Sequence, residues 1–341
     1  MNRRAQRDSF WRGALLSGLV QVLLLGLAVG AVLALGQHAL DVLRARGVRS
    51  GFDFLMEPAG FQISEGWLDF DSVQPFWRAF LAGVLNTVRA ALPAMVLAVL
   101  WGTLLGIGRL APHRLLRGLC AAYVEALRNV PLLVQLLMLY FALTQLLPDS
   151  SAPIELARGF WLSKGGLAMP WPAADAGWQG AHGLGWHHWD WPERTAFGVM
   201  GGAALSPEYL AMVLALTLYT AAFVAEIVRA GISAVPPGQV QAAQALGLKG
   251  AQQLRLIVLP QALRVIVPAL TNQLLSLVKN SSLAVAVGYP ELVSVANTSL
   301  NSTGRAFECI AVVMAVYLLL SLLIAAVMNR YNARVALRGW A

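Results

Sequence analysis

The sequence predicts an all-α integral membrane protein with about six transmembrane helices, and three observations lead there. Of 341 residues, 58% are hydrophobic and 12% charged, a balance unlike that of soluble globular domains. Several apolar runs reach the roughly 20 residues that a helix needs to cross a bilayer core of about 30 Å. Basic residues gather in short segments between those runs, the pattern of loops on the cytoplasmic side. The net charge of +8 is carried almost wholly by Arg, with Lys164, Lys249 and Lys279 the lysines. A membrane protein with cytoplasmic basic loops accounts for that charge, and no nucleic acid need be invoked. Cys120 and Cys309 end apolar runs and offer neither a disulfide framework nor a metal spacing.

The chain opens with Arg3, Arg4, Arg7 and Arg12 against Asp8, and residues 13–35 then run without a charge. A cleavable signal peptide shares a basic start and an apolar core, but this run is longer than the usual signal core and no clear cleavage site follows, so a retained helix is expected. Residues 36–79 mix Asp41, Asp53, Glu57, Glu65, Asp69 and Asp71 with four arginines. Residues 1–79 therefore read as a cytoplasmic tail, an extra helix and a periplasmic segment. The membrane core, 80–341, contains apolar runs at about 80–108, 119–147, 207–229, 263–287 and 307–328. Within it lie a periplasmic insertion, 148–205, rich in Pro, Gly and Trp, and a polar loop, 231–262. The arginines of the loops place both termini and the polar loop in the cytoplasm, although Arg44, Arg46 and Arg49 lie close to the first helix on the other side.

The polar loop is the most informative stretch. Residues 238–260 read GQVQAAQALGLKGAQQLRLIVLP. A short Ala-rich helix, a Gly able to turn left-handed, and a second helix closed by Pro make a compact helix-turn-helix. Such a unit between membrane spans is suited to docking outside the bilayer. Gln241-Ala242-Ala243, Gly247, Ile257, Leu259 and Pro260 resemble the E-A-A-x3-G-x9-I-x-L-P signature of ABC importer permeases, with Gln241 in place of the leading Glu. The resemblance implies a cytoplasmic coupling helix seated on an ATP-hydrolysing subunit, with Gly238 and Gln239 beside it. Gln241 would remove one salt bridge from that contact.

Further strings resemble the polar amino-acid subfamily of these permeases. YVEALRNVPLLVQ (123–135) carries Glu125, Arg128, Pro131 and Gln135, and AAFVAEIVRAGISAVPPGQ (221–239) carries Glu226 and Arg229. Glu226 and Arg229 stand i,i+3 and can pair on one helical face as supports of the loop. VKNSSL (278–283) sets Lys279, Asn280, Ser281 and Ser282 in an apolar run, where an ionisable group usually faces a bundle interior or a watered path. The alternative is a helix break with Lys279 snorkelling to the surface. With Glu308, these residues are candidates for a substrate path meeting the two charges of an amino acid. GFDFLMEPAGFQISE (51–65) and NTVRAALPAMVLAVLWGTLLGIGRL (86–110) are similar to the larger permease subunits of general L-amino acid uptake systems of Gram-negative bacteria. That resemblance, not composition or spacing, implies the amino-acid cargo, an inner-membrane location and a type I importer core of five helices plus one extra helix.

In Trp186-His187-His188-Trp189-Asp190-Trp191, a metal site is the weaker reading, because adjacent histidines point apart and Trp suits a membrane interface. No Gly-Lys dipeptide occurs, so the chain lacks a Walker A loop and is expected to be neither an enzyme nor a holder of a cofactor. The family resemblance implies ATP on a partner: two ATP-binding subunits, a second homologous permease and a periplasmic amino-acid-binding protein, around a lipid-embedded chain. An intramembrane protease would need a base within the bilayer, yet all five histidines lie outside the apolar runs. A channel or anchor would have no use for a docking loop. Within the transporter class, a narrower cargo such as glutamate with aspartate, or an opine, is the alternative.

Overall fold

The computed structural model describes residues 51–172, 189–195 and 198–337, and among the first 50 residues only scattered helical positions between 20 and 42. About half of the anticipated first span, 13–35, lies outside the described residues, as do His182, Trp186, His187 and His188.

Among the described residues, four helical stretches are long and apolar enough to cross a membrane: α1 (Phe76–Gly108), α4 (Pro207–Ser233), a path over Gly250–Val287, and Ala306–Ala333 within α9 (Ala306–Leu337). The run expected over 119–147 is not straight. It forms α2 (Arg114–Asn129) and α3 (Leu132–Phe141, extended by a wide turn to Leu146), bent by 102°. The cause is Pro131, which lacks an N–H and forces Val130 into an extended conformation, φ −99° and ψ 128°. Gln135 closes the break: its Nε2 donates to the carbonyls of Leu127 (2.7 Å) and Val130 (2.9 Å), stranded at the end of α2. The described spans therefore number four, or five with the bent pair counted as one.

The bundle is built on α1 against α4. Ala90, Ala94, Ala98, Gly102 and Gly106 recur every fourth residue on α1, and all are buried. They let the two backbones approach closely, the usual device where lipid supplies no hydrophobic drive between helices. A Cβ on Gly102 would stand 2.6 Å from Val224 Cβ and 2.7 Å from the Ala221 carbonyl oxygen. Helix α7 (Leu259–Asn280) lies along α4 and α9, and α8 (Leu292–Thr303) lies across α1 and α9.

Two faces result. At the insertion face, residues 51–75 fold over the start of α1. Phe54, Phe61, Phe70 and Phe76 make edge-on or tilted pairs 5.4–6.0 Å apart, above Leu292 and Val295 of α8. Arg305, just before α9, pairs with Asp53 (2.7 and 3.0 Å) and donates to the Gly51 carbonyl (2.6 Å). The same face carries a β unit that the composition of 148–205 does not announce. Strands β1 (Ile154–Ala157), β2 (Phe160–Ser163), β3 (Gly166–Met169), β4 (Trp171–Pro172), β5 (Trp189–Asp190), β6 (Glu193–Thr195), β7 (Gly198–Met200) and β8 (Ala203–Leu205) make an antiparallel sheet in the order β1-β2-β3-β8 and two strand pairs, β4-β5 and β6-β7. Two-residue turns join β1 to β2 and β2 to β3; Gly159, at φ +78°, is the residue the first of them requires.

The loop face carries α5 (Pro237–Ala245) and α6 (Gly250–Gln253). Pro260 does not close the second helix, as the sequence suggested. It stands in the first turn of α7, and a wide turn at Leu254–Val258 carries the helix past it. A first-turn proline has no N–H to lose.

Candidate functional site

The polar loop folds as a short helix, a left-handed glycine turn and a second short helix. Helix α5 ends in a double-bonded cap: Gly247 N donates to the Gln244 carbonyl (2.9 Å) and Leu248 N to that of Ala243 (3.1 Å), with Gly247 at φ +75°. Gln253 Nε2 then donates to the Leu248 carbonyl (2.6 Å), and Lys249 N to Gln252 Oε1 (2.8 Å), so the turn is rigid. Gln239 bonds Gln261 and ties α5 to the first turn of α7. Ala243 faces inward and is buried, whereas Gly238, Gln239, Gln241 and Ala242 are exposed. Leu246, at the tip, is 81% exposed. Ile257 is half-buried and Leu259 exposed on the returning arm.

Behind the loop, Glu226 of α4 bonds Arg109, which caps α1, and Arg229, one turn further along α4. One carboxylate thereby joins the C-terminal end of α1 to the last turns of α4. Glu125 and Arg128 of α2 are exposed, and the Arg128 guanidinium lies 5.1 Å from the Phe223 ring centre of α4.

The residues proposed from VKNSSL end α7. Lys279 is exposed and Asn280 half-buried. Ser281 Oγ donates to the Val278 carbonyl (2.7 Å) and Ser282 Oγ to that of Lys279 (2.8 Å), so both hydroxyls finish the helix. Glu308 is buried and accepts from Gly51 N (2.7 Å). Among the described residues Lys279 does not meet Glu308.

Sequence reasoning passed over a polar cluster at the insertion face. Arg89 of α1 pairs with Glu65 (3.1 Å) and lies 4.7 Å from the centre of the Tyr209 ring. The other Glu65 oxygen accepts from Ser206 Oγ, the cap of α4, which itself accepts from Tyr209 N (3.0 Å). Asn86 Nδ2 donates to the carbonyls of Glu65 (2.8 Å) and Pro290 (2.9 Å). Arg89 was detectable: it is a charge inside an apolar run, as Lys279 is.

Glu291, fully buried, caps α8 by accepting from Ser294 N (2.8 Å) and also accepts from Tyr317 Oη (3.2 Å) of α9. Burial outweighs these hydrogen bonds and pushes its carboxyl up to about 7. The folded chain therefore holds this proton more tightly than the unfolded one. The resulting stability is present below about pH 4.5 and is lost as pH rises through about 7. The purified protein is expected to melt a few degrees higher at pH 5 than at pH 8. Glu291→Gln, fixed neutral, should flatten that difference in a thermal scan; an unchanged slope would assign it elsewhere.

Residues 94–337 match the binding-protein-dependent transport system inner membrane component family. The chain belongs to it. The putative amino-acid ABC transporter permease protein YhdX of Escherichia coli K12 is 38% identical, over 96% of this chain and 96% of its own. The general L-amino acid transport system permease protein AapQ of Rhizobium johnstonii is 37% identical, over 93% and 91%. A chain in the crystal structure of an amino acid ABC transporter with histidines superposes with a TM-score of 0.55 at 26% identity, covering 76% of this chain and 95% of that one. As an inner membrane component, this permease subunit is not the catalytic part of its system; ATP hydrolysis belongs to a separate ATPase, and a binding protein completes the assembly.

Proposed function

We infer that this permease subunit carries L-amino acids inward, receiving them from a periplasmic binding protein and releasing them to the cytoplasm by alternating access. The observation that carries the reading is the exposed α5–α6 turn, tied to α7 through Gln239 and Gln261, with the Glu226 pair linking α1 to α4 behind it. Docked on an ATPase, Gly238, Gln239, Gln241, Ala242, Ala243, Gly247, Ile257, Leu259 and Pro260 form the contact region and its supports, and closure of the ATPase moves it as a body. The amino-acid cargo rests on the names of YhdX and AapQ. On this reading two ATP-binding subunits and a second homologous permease complete the complex. Both termini and the loop face are cytoplasmic, and the insertion face receives the binding protein. Lys279, Asn280, Ser281 and Ser282 border the path at the end of α7, with Lys279 the one exposed charge among them.

The test is gentle purification from native membranes. Co-purifying ATPase and sister permease, with hydrolysis rising when amino-acid-loaded binding protein is added, is the expected result. A chain that emerges alone, even after crosslinking through a cysteine placed at Ala243, would overturn it.

A further inference from the structure

At the insertion face the Arg89–Glu65 pair is neither sealed nor fully wet, its side chains being 12% and 18% exposed. It also bridges elements far apart in the chain: Arg89 is on α1, Glu65 is in the segment before it, and Ser206 opens α4. The Arg89 guanidinium rests on the Tyr209 ring, and Tyr209 Oη donates to the Arg89 carbonyl (3.2 Å). Tyr289 Oη donates to the Asn86 carbonyl (3.2 Å) one turn away. Beside Glu65, Asn86 Oδ1 is buried and accepts from no donor. This is an anion receptor already holding a carboxylate, next to an acceptor that lacks a donor.

Exchange at such a pair is selective. A ligand with one charge can satisfy Arg89 or Glu65 but strands the other, at the cost of an unpaired, half-buried ion. A zwitterion strands neither: its carboxylate takes the Arg89 and Ser206 donors, and its ammonium brings three N–H donors to Glu65 and the face of Tyr209. No net charge is moved and no side chain of the ligand is read.

We propose that Arg89, Glu65, Ser206 and Tyr209 form an outer subsite that opens to take the α-carboxylate and α-ammonium of an amino acid between the two charged residues. This rests on the amino-acid reading above and deepens it, because recognition through the shared head group admits many side chains.

The experiment is equilibrium binding of radiolabelled L-leucine, L-glutamate and L-arginine to the purified complex without its binding protein, beside uptake by the complete system. In the wild type, leucine should be displaced by unlabelled leucine but at least about 100-fold less well by 3-methylbutylamine or 4-methylpentanoate, which each keep one charge. Arg89→Gln and Glu65→Gln should each weaken binding of all three amino acids about tenfold or more, and Arg89→Lys should restore part of it. Loss of uptake with unchanged binding affinity, tracking only a lower melting temperature, would make the pair a structural tie and overturn the subsite. Equal competition by the one-charge analogues would do so without any variant. A wild-type complex that neither binds nor takes up any amino acid would refute the cargo reading itself, and the subsite with it.

Discussion

Leu246→Asp is expected to lower ATP-driven uptake by at least about tenfold while leaving the melting temperature of the isolated subunit nearly unchanged. The two readouts separate because Leu246 is 81% exposed and follows α5 at the tip of the turn. It has little packing to lose, and surface substitutions away from special features are usually within about 0.5 kcal/mol. In the docked state the same side chain would lie at the centre of a small interface, where burying a carboxylate without a partner costs several kcal/mol. The measurement is uptake into proteoliposomes beside a thermal scan. Full uptake would mean that the tip of the turn lies outside the ATPase contact. Gly247→Val is a different perturbation: it places a β-branched residue at φ +75° and disturbs the turn itself.

Gly102→Leu should have the largest effect on the fold. With a Cβ at Gly102 already 2.6 Å from Val224 and 2.7 Å from the Ala221 backbone, α1 and α4 must separate to admit any side chain. Overpacking of this kind costs roughly 1–3 kcal/mol where the core can adjust. Here the obstructing atom is partly backbone, so loss of monodisperse protein on size exclusion is the expected outcome. Gly118→Ala, where nothing lies within 4 Å, is the matched control and should be silent. Recovery of well-behaved Gly102→Leu protein would show that the two helices are not pressed together as described.

The parts of this architecture legible in the sequence are those with a long or repeated signal. Run length identified the apolar stretches, and the spacing of Ala, Gly and Pro over 238–260 located the helix-turn-helix, down to the left-handed Gly247. The 102° bend at Pro131 was missed because an apolar run looks unbroken when only hydropathy is weighed. The strands of 154–205 are no more than four residues long and broken by glycines, too short for an alternation to register. Glu65 could not be matched to Arg89, which is 24 residues away across an irregular segment. Glu308 drew attention as a charge beside an apolar run, yet its carboxylate is taken by a backbone N–H from residue 51, a contact no spacing rule anticipates.

The length of α1 carries a mechanical consequence. Its 33 residues rise about 50 Å, against a hydrocarbon core of about 30 Å. Even the steepest tilts common in membrane helices, about 40°, leave a projection near 38 Å, so part of the helix stands clear of the lipid. Its far end is fastened by Arg109 to Glu226 of α4, and its Phe76 end is packed under residues 51–75 and against Leu292 and Val295 of α8. α1 thus cannot swing at one end alone: any tilt of it is passed to α4 at one end and to α8 at the other, so the two faces of the bundle move together.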